Sequence, residues 1–125
     1  MIHSPPLIAV VEDDSSVRKA LGRLLRSAGF RVESCVSGED FLRALATRLP
    51  DCLLLDLHLP GMSGLAVQAV LRKSRGTLPM IFVTAEAGSE ARRQALQSGA
   101  RAWLQKPVSP EALLNAIALA LTTDY

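Results

Sequence analysis

Aromatic residues are scarce in this sequence. Phe, Tyr and Trp together supply 4% of its 125 residues, so any core must be built from Leu, Val, Ile and Ala. Cysteine is nearly absent. Cys35 and Cys52 have no CxxC spacing and no partner set for zinc. Both read as small buried hydrophobes with reduced thiols. No apolar run approaches the roughly 18 residues a membrane-crossing helix needs. The opening Met1-Ile2-His3-Ser4-Pro5-Pro6 lacks the charged start and apolar stretch of a secretory signal. A cytoplasmic address, with no membrane partner, is the resulting expectation. An excess of one charge is missing too. Fourteen basic and twelve acidic side chains leave +2, no electrostatic footprint for nucleic acid or a membrane surface.

What is present is a folded composition, 49% hydrophobic and 21% charged. The length suits a single domain, residues 1–125, that can bury a core without disulfides or a structural metal. No repeat, linker or low-complexity tract interrupts it. Instead, short apolar runs alternate with helical patterns. Leu7–Val11 is apolar throughout, as a strand buried on both faces requires. After Glu12-Asp13-Asp14-Ser15-Ser16, the residues Val17, Leu21, Leu24, Leu25 and Ala28 recur at helical spacing, and Gly29 ends them. Phe30–Ser34 alternates like a short, partly exposed strand. Ser37–Leu49 reads as a helix with Phe41, Leu42 and Leu45 inward, closed before Pro50. Cys52–Asp56 and Met80–Thr84 are further buried strands, and Leu59–Gly64 is a loop by its Pro and Gly content. Helices are expected over Leu65–Lys73, Ser89–Ser98 and Pro110–Leu121, with a fifth strand at Ala102–Leu104.

Five strand–helix units define an α/β fold, a five-stranded parallel sheet with helices on both faces. The flavodoxin-like order 2-1-3-4-5 suits five units and places ligands beyond the carboxyl ends of the strands. In that order strands one, three, four and five are consecutive neighbours. Strand one ends in Glu12-Asp13, strand three in Asp56, strand four in Thr84, and strand five leads into Lys106-Pro107. Each residue has an ordinary explanation. Asp13, Asp14 or Ser15 would serve as a helix cap, Asp56 as a turn residue, Thr84 as a β-branched strand end, Lys106 as a solvated lysine. Together they are harder to dismiss. Three carboxylates against one ammonium repel one another unless a cation sits among them. A hard divalent ion fits oxygen ligands, and Mg²⁺ is preferred because it is held by few carboxylates and keeps several waters. Asp56 is then the candidate nucleophile, since aspartate forms phosphoryl intermediates. Thr84 offers a hydroxyl to one phosphoryl oxygen, and Lys106 a positive charge.

Over residues 7 to 121 the chain resembles the receiver domain of two-component response regulators. The resemblance rests on Val10-Val11-Glu12-Asp13-Asp14, on Leu55-Asp56-Leu57-His58-Leu59-Pro60-Gly61-Met62-Ser63-Gly64, on Val83-Thr84-Ala85 and on Gln105-Lys106-Pro107. Each motif alone is weak, but the ordered set is specific. Val17-Arg18-Lys19-Ala20-Leu21 and Ser27-Ala28-Gly29-Phe30 are similar to the FixJ-like branch, whose members usually regulate transcription. In departure from that branch, Ala85-Glu86-Ala87-Gly88 follows Thr84.

The resemblance implies that Asp56 is phosphorylated by a sensor histidine kinase. It implies that Asp13, Asp56 and the backbone carbonyl of His58 bind Mg²⁺, with Glu12 acting through a water. Lys106 would contact the phosphoryl group, and its bond to Pro107 would be cis. Thr84 would be the switch hydroxyl. The family usually has Tyr or Phe three residues before the lysine. Trp103 stands there, either as a second switch residue or as a fixed packing residue. His58 and Glu86, two residues beyond Asp56 and Thr84, would tune the lifetime of the phosphoryl group. The face made by helix four, strand five and helix five, with Leu119 on the outer side of the last helix, would mediate homodimerisation or partner binding. Such a chain is a regulatory module rather than an enzyme. A haloacid-dehalogenase-like hydrolase wants a second Asp where His58 stands and has a cap domain for which there is no room. A flavodoxin-like ligand binder needs a phosphate-cradling loop where Glu12-Asp13-Asp14 would repel phosphate. Once the five units are assigned no helix-turn-helix remains, so direct nucleic-acid binding is not expected.

Overall fold

The computed structural model describes residues 4–122; the outermost parts of the expected 1–125 unit, residues 1–3 and 123–125, lie outside the described residues. The elements run β1 (Leu7–Val11), α1 (Ser15–Ser27), β2 (Arg31–Cys35), α2 (Gly38–Ala44), β3 (Cys52–Leu55), α3 (Gly64–Ser74), β4 (Met80–Thr84), α4 (Ser89–Gln97), β5 (Ala102–Gln105) and α5 (Pro110–Thr122). The strands form one parallel sheet in the order β2-β1-β3-β4-β5.

Strand periodicity splits the apolar runs between two cores. Ala9, Val11, Leu53, Leu55, Met80 and Phe82 face one side, where Phe41 of α2, Val67 and Leu71 of α3 and Ala95 of α4 cover them. Ile8, Val10, Cys52, Leu54, Ile81 and Val83 face the other, under Leu21 and Leu25 of α1 and Leu113, Ile117 and Ala120 of α5. Burial of both faces explains why β1, β3 and β4 are apolar without alternation. Each fully buried Leu, Ile or Phe contributes about 1.5–3 kcal/mol of transfer free energy, and in this aromatic-poor chain aliphatic side chains dominate that sum. One polar side chain crosses the first core. Gln68 of α3 is buried, and its Nε2 donates to the carbonyl of Ala95 at 2.9 Å, tying α3 to α4.

Local chemistry sets the helix starts. Asp14 caps α1 by accepting from the N–H groups of Ser16 and Val17, Ser37 caps α2 and Ser63 caps α3. α4 follows Gly88 without a side-chain cap. Several expected bounds shift by one residue, as at β2, and the end of α2 needs a larger correction. β2 is Arg31–Cys35, one residue later than Phe30–Ser34. α2 ends at Ala44 rather than Leu49. The N–H groups of Ala46 and Thr47 bond three residues back, and the Thr47 hydroxyl also takes the Ala44 carbonyl. These three-residue bonds tighten the last turn, and Pro50 disfavours helical geometry at its predecessor.

Candidate functional site

The carboxyl ends of β1, β3, β4 and β5 converge because those strands are neighbours in the sheet. The backbone fixes their mutual heights. The Asp56 N–H donates to the Val11 carbonyl at 3.1 Å, and the Lys106 N–H donates to the Thr84 carbonyl at 2.8 Å. At this edge Glu12, Asp13 and Asp56 each offer a carboxylate oxygen, all within 4.8 Å of one another. Adjacent acids divide the work. Asp14 turns to the start of α1 as its cap, which leaves Asp13 exposed toward the cluster. Arg18 holds the strand end by donating to the carbonyls of Glu12 at 2.8 Å and Asp13 at 3.3 Å.

Lys106 reaches the cluster from the end of β5. Its Nζ lies 2.5 Å from Glu12 Oε1 and 3.0 Å from Asp56 Oδ2. Both carboxylates are buried, 2% and 7% exposed respectively. Burial pushes the Glu12 carboxyl above its usual value, despite the opposing hydrogen bonds from Lys106 and from the Asp14 N–H. Burial works against the Lys106 charge as well, but its hydrogen bonds to Glu12 and Asp56 prevail and hold its pKa above normal. One ammonium therefore serves two buried acids, while Asp13 adds a third negative group. Glu12, Asp13 and Asp56 each offer a carboxylate oxygen, the ligand type a hard divalent cation takes, so the cluster can hold a metal ion.

The loops beyond the strands form the rim. The His58 N–H donates to Asp56 Oδ1 at 3.4 Å. Gly64 packs so closely under the loop that a Cβ there would stand 2.3 Å from the Asp56 carbonyl oxygen and 2.9 Å from the Phe82 ring. Thr84 is fully buried, and its hydroxyl oxygen accepts from the Glu86 N–H at 3.2 Å. His58 Nε2 and Glu86 Oε1 meet at 2.7 Å, joining the loop after β3 to the loop after β4. Trp103 is half-buried, paired in register with Phe82, with ring centroids 5.6 Å apart and planes tilted by 31°. The Lys106–Pro107 peptide bond is cis. Beside the site an apolar groove of 590 Å³ runs between α1 and the segment leading into α5, lined by Val17, Leu21, Leu24, Val83, Pro107 and Val108.

The structure thus gathers Glu12, Asp13, Asp56 and Lys106 at one point, with Thr84 at the end of β4 and His58 and Glu86 on the two loops beside it. Trp103 sits on β5 against Phe82, not among the carboxylates. Three features escaped the sequence reading. Arg18 carried only its place in a resembling stretch. The contact between His58 and Glu86 joins residues each singled out for a separate reason. Glu39 of α2 accepts from the Met62 N–H at 3.0 Å, in the loop after Asp56, and only its place in the first turn of a helix was legible.

The order β2-β1-β3-β4-β5 with a carboxylate cluster at the strand ends defines a class, the flavodoxin-like α/β modules whose site lies beyond the carboxyl ends of the strands. A family model described as the response regulator receiver domain matches residues 8–118. Nodulation protein W of Bradyrhizobium diazoefficiens is 36% identical over 118 residues, covering 94% of this chain and 52% of the relative. The DNA-binding transcriptional regulator NtrC of Escherichia coli is 41% identical over 101 residues, covering 81% of this chain and 22% of the relative. Among solved structures, a putative response regulator from Chloroflexus aurantiacus superposes with a TM-score of 0.90 at 32% identity, covering 95% of this chain and 99% of that one. The chain belongs to the response regulator receiver domain family, the phosphorylation-controlled modules of two-component signalling. It spans about half of Nodulation protein W and about a fifth of NtrC. Membership implies a regulatory role, a general capacity for Mg²⁺ and a histidine kinase as the general kind of partner. Among the described residues no helix is long and apolar enough to cross a membrane.

Proposed function

We propose that this chain is a single receiver domain that accepts a phosphoryl group on Asp56 and converts it into a change of surface. The observation that carries the reading is the contact of Lys106 Nζ with Asp56 Oδ2 at 3.0 Å, inside a cluster of three carboxylates. An Asp56 carboxylate oxygen attacks the phosphorus of a kinase phosphohistidine. The P–N bond breaks, the imidazole nitrogen keeps the electron pair and takes up a proton, and Asp56 becomes an acyl phosphate. Asp13, Asp56 and the His58 carbonyl would hold Mg²⁺, with Glu12 acting through a water; when bound, the ion neutralises charge on the phosphoryl oxygens. Lys106 moves from carboxylate oxygens toward the phosphoryl oxygens and fixes their orientation. The Thr84 hydroxyl, whose oxygen accepts from Glu86 while its proton stays available, donates to the remaining phosphoryl oxygen. His58 and Glu86, joined across the rim, control entry of the water that ends the phosphorylated state.

Withdrawal of Thr84 toward the phosphoryl group vacates space beside Phe82 and Trp103, and the Trp103 ring follows it. That couples Asp56 to the α4–β5–α5 face, where Leu96 and Leu119 are exposed and where a second copy would dock as a homodimer. The groove between α1 and the start of α5 adjoins Lys106, an apolar surface beside the proposed phosphoacceptor. Cytoplasmic action and control of transcription, through an output domain or partner rather than through DNA contact by this chain, complete the reading. Incubation with acetyl phosphate and Mg²⁺, followed by intact mass measurement, tests it. One added phosphoryl group in the wild type and none in Asp56→Asn is expected; an equal gain in both refutes it.

A further inference from the structure

We propose that Glu39 is a positioning residue for the metal-binding side of this site, acting through the loop that follows Asp56. The inference rests on the reading of Asp56 and its neighbours given above. α2 lies tightly on this loop and on the start of α3. A Cβ on Gly38 would meet Val67 Cγ2 at 2.4 Å and Met62 Cβ at 3.7 Å, so the absence of a side chain at Gly38 is what lets the helix approach. From the next position, Glu39 extends its carboxylate over the turn Pro60-Gly61-Met62. Oε2 accepts from the Met62 N–H at 3.0 Å. Both carboxylate oxygens lie against Gly61, where a Cβ would stand 2.4 and 3.1 Å from them. Gly61 has φ +73°, a left-handed conformation that glycine adopts without strain. The turn is therefore shaped to receive the carboxylate.

The consequence follows from the shortness of the loop. Between β3 and α3 the chain is held by the His58 N–H on Asp56 Oδ1, by the Gly64 N–H on the Leu57 carbonyl at 2.8 Å, and by Glu39 on Met62. The first two contacts lie within the loop and its flanks. The His58 ring also meets Glu86 of the loop after β4 at 2.7 Å, but that contact holds the inner half; Glu39 is the partner from another element that bonds the outer half, Pro60-Gly61-Met62, and so sets where that half stands relative to the sheet. That outer half continues from His58, whose carbonyl is the one ligand in the proposed set that is not a side chain. Without Glu39 the Met62 N–H turns to water, the turn relaxes, and the His58 carbonyl no longer stands in one place. A group that holds a ligand in position typically controls affinity by about tenfold or more.

Calorimetric titration with Mg²⁺ alone, without a phosphodonor, tests this on the wild type, Glu39→Ala, Glu39→Gln and Asp56→Asn. Glu39→Ala is expected to bind Mg²⁺ about tenfold more weakly. Its phosphorylation by acetyl phosphate should be slow at limiting Mg²⁺ and recover at saturating Mg²⁺. Glu39→Gln keeps an oxygen that accepts from Met62 and should restore wild-type affinity. Weakening in both variants would overturn the proposal in favour of a long-range charge effect, and wild-type affinity in Glu39→Ala would overturn it outright. Thermal melts without Mg²⁺ identify a variant that merely misfolds, and Glu39→Gln then still decides. Failure of the wild type itself to bind Mg²⁺, or wild-type binding by Asp56→Asn, refutes the underlying reading of the site instead.

Discussion

Asp13→Asn isolates the electrostatic strain in the acidic cluster. Asp13, Glu12 and Asp56 present oxygens within 4.8 Å of one another, and Lys106 is engaged with the latter two. At that separation a pair of unit charges repels by about 1 kcal/mol in a water-like dielectric and about 3.5 kcal/mol at an effective dielectric of 20. Asp13 is exposed, which places both of its repulsions near the lower figure. Asparagine keeps the shape, and the substitution removes no helix cap, because Asp14 holds that role. The Asp13 carbonyl that accepts from Arg18 is also untouched. The Lys106 ammonium offsets about one of the two repulsions, so the metal-free variant should be more stable than the wild type by about 1 kcal/mol, a rise in Tm of about 3–6 °C. In Mg²⁺ the order should narrow or reverse. The wild type gains stability by binding the ion in the folded state only, and the variant has lost a ligand. Thermal melts with and without Mg²⁺ measure both effects. A metal-free variant less stable than the wild type, or one that gains as much from Mg²⁺, would refute the reasoning.

Three further expectations follow from the same geometry. Gly64→Ala places a Cβ against the Asp56 carbonyl and the Phe82 ring, neither free to give, and should cost about 1–3 kcal/mol in denaturant unfolding; a neutral result would contradict the close packing under the loop. The raised Lys106 pKa contributes stability that is fully present below its unfolded value of 10.5 and is lost as pH rises through the higher folded value. Metal-free wild type should thus lose stability above pH 10.5 more steeply than Lys106→Met, and parallel pH profiles would exclude the pairing. Burial pushes the thiols of Cys35 to about 11 and Cys52 to about 12. A thiol reagent at neutral pH should label neither in the native state and both after unfolding, and rapid native labelling would place a cysteine at the surface.

The sheet was legible because burial on both faces leaves a run such as Leu7–Val11 or residues 80–83 no position for a polar residue. Its order followed from the number of units, and that order brings Glu12, Asp13, Asp56 and Lys106 to one edge. The end of α2 was not legible, since Leu45 and Leu49 continue the helical spacing of Phe41 and Leu42 past Ala44, where the main-chain bonds shorten to three residues. Gln68 gave no sign of being buried, because its partner is a backbone carbonyl on another helix. Glu39 was hidden for the same reason, a side chain that acts on a main-chain N–H 23 residues away. Patterns of residue type report which side chains avoid water; they carry little about which main-chain groups those side chains will meet.

The central claim is that the aspartate at the end of β3 becomes an acyl phosphate. Borohydride reduces an aspartyl phosphate to homoserine, so phosphorylation in Mg²⁺, borohydride trapping and peptide sequencing locate the modified residue directly. Homoserine at position 56 and at no other aspartate is the predicted result. Trapping at another residue, or phosphate retained on the His58 ring with position 56 unmodified, would contradict the account.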